Sequence, residues 1–142
     1  MATSLDITFR LYLRGDNLVP AHVSCALGLE PTGAQQKGLP FNSRNPTRLA
    51  KFGVWSFARD AMAEQYHLVN FLHDIEAAVQ RAGCQLLDVE GVEEAWVDVY
   101  MLQTAGALDD LSDCELQIGL PEINMLKALD LHIDVTFGVV GE

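Results

Sequence analysis

The sequence predicts an α+β domain. Its expected form is a two-layer sandwich, a ferredoxin-like variant with a mainly antiparallel sheet and helices on one face, in the order β-α-β-α-β-β-α-β. Three observations point there. Several segments alternate apolar and polar residues with a period of two, the mark of strands with one buried face. One long segment repeats its apolar residues at helical spacing. No strand is the continuous Val/Ile run that a doubly wound parallel sheet requires. The chain has 142 residues, 49% hydrophobic and 20% charged. That is enough for one domain over residues 1–142, burying roughly 68% of the surface its unfolded chain exposes without disulfide or metal staples.

The elements follow in order. Leu5, Ile7, Phe9, Leu11 and Leu13 alternate with Asp6, Thr8, Arg10, Tyr12 and Arg14 as a strand, and Gly15-Asp16-Asn17 supplies a turn. Pro20 opens a helix over about 20–27 with Val23, Ala26 and Leu27 on one side, and Gly28 stops it. Residues 30–52 read as a long loop: Pro31, Gly33, Gly38, Pro40 and Pro46 punctuate it, and Asn42, Ser43 and Asn45 prevent an apolar period. Val54-Trp55-Ser56-Phe57 is a short strand. The clearest helix is striped by Leu68, Phe71, Leu72, Ile75, Ala78, Val79 and Ala82 and ends at Gly83. Ala95, Val97, Val99 and Met101 define a strand from Glu94 to Leu102. An acidic loop over 106–113 leads to a strand at Cys114, Leu116 and Ile118. Pro121 opens a helix over about 121–129, burying Ile123, Leu126 and Leu129. Leu131, Ile133, Val135, Phe137 and Val139 form the last strand, with His132, Asp134 and Thr136 on its other face.

The net charge is −11. Residues 1–59 carry seven bases and three acids, whereas residues 60–142 carry seventeen acids beside Arg81 and Lys127. Nucleic-acid binding through a generally basic surface is excluded, because phosphate contacts need Lys and Arg to displace counterions. The start Met1-Ala2-Thr3-Ser4 has neither a basic region nor an apolar run of the secretory kind, and no segment approaches the ~20 apolar residues of a membrane helix. A cytoplasmic protein is expected. Cys25, Cys84 and Cys114 are odd in number and scattered, and read as small core residues in a reducing compartment.

Leu27-Gly28-Leu29-Glu30-Pro31-Thr32, then Lys37-Gly38, then Gly53-Val54-Trp55-Ser56 together resemble a signature of the small bacterial proteins called domain of unknown function 4279. The C-terminal half agrees, with its Leu120-Pro121-Glu122 helix start and its Leu131-x-Ile133-x-Val135 final strand. The resemblance implies a cytoplasmic accessory or immunity-type protein and assigns no activity.

The sequence contains neither a phosphate-binding glycine loop nor a nucleophile elbow. Asp109, Asp110 and Asp113 lack the Gly and closing Glu of a calcium loop, so no metal and no cofactor is expected. His132 and Asp134 share a strand face and could orient an imidazole, without an identified nucleophile. Two functions remain. The first is a non-enzymatic module that engages a basic protein partner, as an immunity-type or inhibitory protein does, through acidic Glu64, Asp74, Glu76, Asp109, Asp110 and Asp113, with Lys37 on the basic loop. The alternative is a small-molecule site or unannotated enzyme, in a pocket between the open sheet face and the 30–52 loop, walled by Trp55, Trp96, Tyr100, His132 and Asp134. Homodimerisation through a sheet edge is compatible with both.

Overall fold

In the computed structural model, residues 4–40, 44, 46–61, 66–105 and 116–141 are described. Their elements are β1 (Ser4–Gly15), α1 (Pro20–Leu27), β2 (Gly33–Gln35), β3 (Gly53–Asp60), α2 (Leu68–Ala82), a 3-10 turn (Leu86–Asp88), β4 (Glu94–Ala105), α3 (Leu120–Ala128) and β5 (His132–Gly141). The five strands form one sheet in the order β2-β3-β1-β4-β5. All neighbours are antiparallel except β4 and β5, which run parallel with α3 as their crossover. The class is the expected α+β with a mainly antiparallel sheet. The element string is not the expected one. A three-residue strand, β2, lies inside the 30–52 segment, and Pro40 bridges Leu49 there. Residues 116–119 are irregular, so the strand expected at 114–119 is absent where it can be described.

The alternation of β1 sends Phe9, Leu11 and Leu13 to one face, where β3 adds Trp55 and Phe57 and β4 adds Val97, Val99 and Met101. All three helices cover this face: Val23 and Leu27 from α1, Phe71, Leu72, Ile75 and Ala78 from α2, and Leu126 from α3 are buried with the strand residues in one core. Burial of each large side chain contributes ~1.5–3 kcal/mol. The α2 stripe is as the spacing predicts. The helix starts where the Asn70 side chain accepts the His67 backbone N–H at 2.9 Å and ends at left-handed Gly83. At the end of the sheet, a Cβ on Gly15 would stand 1.9 Å from the Gly91 carbonyl oxygen, so only glycine lets the β1 turn and the loop before β4 approach this closely.

Three burial expectations are corrected. Ile123 is exposed on α3, because that helix turns only its Leu126 side to the core. Cys25 is exposed on α1 and Cys84 half-buried after α2; Cys114 lies outside the described residues. The apolar row expected of the last strand is buried at Leu131, just before β5, and half-buried at Ile133, but Val135, Phe137 and Val139 are exposed on this edge strand. No described helix is long and apolar enough to cross a membrane.

Candidate functional site

The face of the sheet opposite the helices is open to solvent, and cross-strand register organises it into rows. Side chains paired across strands point to the same face, so residues distant in sequence become lateral neighbours. One row is aromatic: Tyr12 of β1, Trp96 of β4 and His132 of β5. The Tyr12 and Trp96 rings stack with centroids 5.1 Å apart, and Trp96 and His132 stack at 6.1 Å and are nearly coplanar in orientation, at 5°. The next row is charged: Arg10, Asp98 and Asp134. The Arg10 guanidinium lies 5.7 Å from the Tyr12 centroid, joining the two rows by a cation–π contact. A third row holds Thr8, Tyr100 and Thr136. Thr8 donates to Asp60 at 3.1 Å, and Thr136 donates to Asp98 at 3.3 Å.

Asp98 is the electrostatic centre. Partial burial pushes its carboxyl pKa above the ordinary value and the Asp134 carboxylate pushes it further, while the Thr136 hydroxyl and Arg10 oppose the shift. A cavity of about 180 Å³ sits here, lined by Thr8, Arg10, Tyr12, Asp98 and Tyr100. A wider hollow of about 520 Å³ lies at one end of the face against Arg14, Leu87, Glu93, Glu94, Ala95, Trp96 and His132. Arg14 stands 3.7 Å from Glu94 and 4.0 Å from the Phe52 ring centroid. His132 and Asp134 approach to 3.8 Å, with both side chains mostly exposed.

Of the predicted pocket residues, Trp96, Tyr100, His132 and Asp134 do meet on this face. Trp55 does not. It is fully buried on the helix side, stacked on Phe57 at 6.3 Å, and its indole N–H donates to the Ser24 hydroxyl at 3.0 Å. It is a core residue because β3 presents it opposite Leu13 rather than opposite Tyr12. The cavity is walled by strand residues, and the described part of the 30–52 segment contributes β2, which pairs with β3 at the far edge of the sheet, and none of the cavity's lining. Arg10, Tyr12, Thr8 and Asp98 went unrecognised in the sequence; their only signal is that they are the polar positions of two alternating strands.

Of the acidic set, Asp74 and Glu76 are among the described residues, both on α2. Asp74 accepts a hydrogen bond from the Tyr66 hydroxyl; burial, and then this bond, raise the pKa of that phenol. Glu76 stands 3.9 Å from His73 on the same helix. Lys37 is exposed beside a small hollow lined also by Asp16, Asn17 and Gln36. Glu64, Asp109, Asp110 and Asp113 lie outside the described residues. Among the described residues no group of three His, Cys, Asp or Glu side chains is placed to hold a metal ion.

The molecule is thus a small α+β sheet domain with a covered apolar face and an open aromatic and acidic one. A family model described as a domain of unknown function, DUF4279, matches residues 5–139, nearly the whole chain, and the protein belongs to that family. No curated protein and no solved structure matches it.

Proposed function

We propose that this protein is a cytoplasmic recognition module whose open sheet face takes a basic segment of a protein partner. The observation that carries the reading is the facing pair Asp98 and Asp134, like charges in direct cross-strand register beside an aromatic row. Such a pair costs stability in the free protein, and a cation laid between the carboxylates relieves that cost. Among the described residues the face adds three further carboxylates, Asp6, Asp60 and Glu94, to this pair, against the guanidiniums of Arg10 and Arg14. Trp96 and Tyr100 are side chains of the kind that anchor protein interfaces. At about 180 Å³ the central cavity is smaller than the roughly 300–1,000 Å³ of small-molecule sites and suits one side chain of a partner. An inhibitory or immunity-type role is the form this takes when the partner is a basic enzyme. The surface proposed is the sheet face rather than α2 and the 106–113 segment.

The test is titration with a decalysine peptide followed by tryptophan fluorescence, since of the two tryptophans only Trp96 lies on the face. Joint reversal of Asp98 and Asp134 to Lys is expected to weaken binding by tenfold or more, on the order of 1.4 kcal/mol. Asp74→Lys with Glu76→Lys on α2 is expected to change it little, and added salt weakens the wild-type complex. Weakening by the α2 pair alone contradicts the assignment.

The hollow of about 520 Å³ beside Trp96 and His132 favours a second reading, a small polar molecule held by Arg14 and Glu94, because its volume falls in the range of ligand sites. Saturable binding of a small molecule that Trp96→Ala abolishes while salt leaves it unchanged would support this reading over the first.

A further inference from the structure

β5 is the last strand of the sheet, and among the described residues no strand pairs with its outer edge. Val135, Phe137 and Val139 lie on the helix-side face in register with Val99, Met101 and Gln103, yet they are 50%, 51% and 44% exposed. Edge strands of monomers are ordinarily blunted by Lys, Pro, a bulge or short length. β5 runs for ten residues with no Pro and no Lys, and carries no charge after Asp134. On the same side of the sheet, α3 leaves Leu120 and Ile123 exposed.

We propose that this edge is a homodimer seam, in which β5 strands of two copies pair antiparallel about a two-fold axis through Phe137 and join two five-stranded sheets into one. A two-fold contact needs a surface complementary to itself. The row meets that condition, since it reads Val-Phe-Val outward from Phe137 in either direction. In this register Phe137 faces its own counterpart, Val135 faces the partner's Val139, and on the open face Thr136 faces the partner's Gly138. Charge selects a second copy over a basic partner. Two chains of net charge −11 repel wherever carboxylates oppose one another, and the uncharged run 135–141 is where they approach at least cost. A basic chain finds no carboxylate along that run and is drawn instead to the Asp98 and Asp134 face. One strand pair is small beside the roughly 1,200–2,000 Å² of a stable interface, so the dimer is expected to be weak and to depend on concentration.

Sedimentation velocity of the full chain from about 1 to 300 µM tests the seam. The wild type is expected to pass from monomer to dimer. Phe137→Lys and Phe137→Glu are each expected to stay monomeric, and an equimolar mixture of the two to regain the dimer, because only a seam that sets position 137 against itself brings Lys against Glu. Phe137 is half exposed, and circular dichroism verifies that both variants are folded. On the wild type alone, amide hydrogen exchange along β5 is expected to slow with concentration while β2, the opposite edge, does not change. A wild type monomeric throughout, with concentration-independent β5 exchange, overturns the proposal and leaves the edge to a strand of another chain. A dimeric Phe137→Lys, or a mixture that stays monomeric, overturns the Phe137-centred pairing.

Discussion

β1 and β5 carry the same alternation of apolar and polar residues, and they meet opposite fates. β1 lies at the centre of the sheet, paired on both sides, and its Phe9, Leu11 and Leu13 are all but inaccessible beneath the helices. β5 lies at the edge, and its Val135, Phe137 and Val139 face the helix side with about half their surface in water. An apolar residue in a strand therefore reports which face it takes, and the position of the strand in the sheet decides whether that face is covered. The consequence is functional. The central strand holds the molecule together while its polar positions, Thr8, Arg10 and Tyr12, build the open face proposed for recognition, and the edge strand leaves apolar surface exposed along the proposed seam.

The contrast can be broken at matched positions. Leu11→Ala in β1 is expected to destabilise the fold by about 2–5 kcal/mol in urea unfolding, whereas Val135→Ala in β5 costs less than about 1 kcal/mol at concentrations where the protein is monomeric. Equal losses would mean that β5 is covered after all. The two tryptophans give the next contrast. Trp55→Phe removes a buried ring and its hydrogen bond to Ser24, with an expected loss of about 1–3 kcal/mol. Trp96→Phe is expected to cost less than about 1 kcal/mol and to weaken decalysine binding, separating a core role from a binding role.

The smallest effect is at Asp98. Its folded-state pKa is raised, so the folded protein holds the proton more tightly than the unfolded chain. The associated stability is fully present below the unfolded pKa and is lost as pH rises through the folded one. Asp98→Asn, which keeps an acceptor for Thr136, is therefore expected to be more stable than wild type at pH 7, by less than about 1 kcal/mol because the carboxyl is only partly buried. The advantage shrinks as the pH is lowered through the Asp98 pKa. A pH-independent difference would place the cause elsewhere.

Much of the scaffold was legible because it depends on local periodicity. β1, α1, α2 and β4 follow from spacing two and spacing 3.6, and Pro20, Gly28 and Gly83 mark helix boundaries where the sequence predicts them. β2 was missed because three residues are too few to show a period, and the Leu116/Ile118 alternation misled because two apolar residues packing against a core mimic a strand. The site was half legible for a related reason. His132, Asp134 and Thr136 share a face by simple parity, but their meeting with Trp96, Asp98 and Tyr12 depends on strand order, which no local pattern encodes. Trp55 and Trp96 both sit in short alternating runs, and only the register of β3 against β1 sends one inward. Part of the charge asymmetry along the chain is undone among the described residues, since pairing of β1 with β4 sets Arg14 beside Glu94 and Arg10 beside Asp98.

The open sheet face, and not the acidic helix surface, is proposed to recognise a basic segment. Chemical-shift mapping of the amides and the Trp96 indole during a decalysine titration tests it most directly. The largest changes are expected at Tyr12, Trp96, Asp98, Tyr100 and Asp134, with α2 residues 73–77 unmoved. Changes centred on Asp74 and Glu76, with the Trp96 indole unmoved, would contradict it.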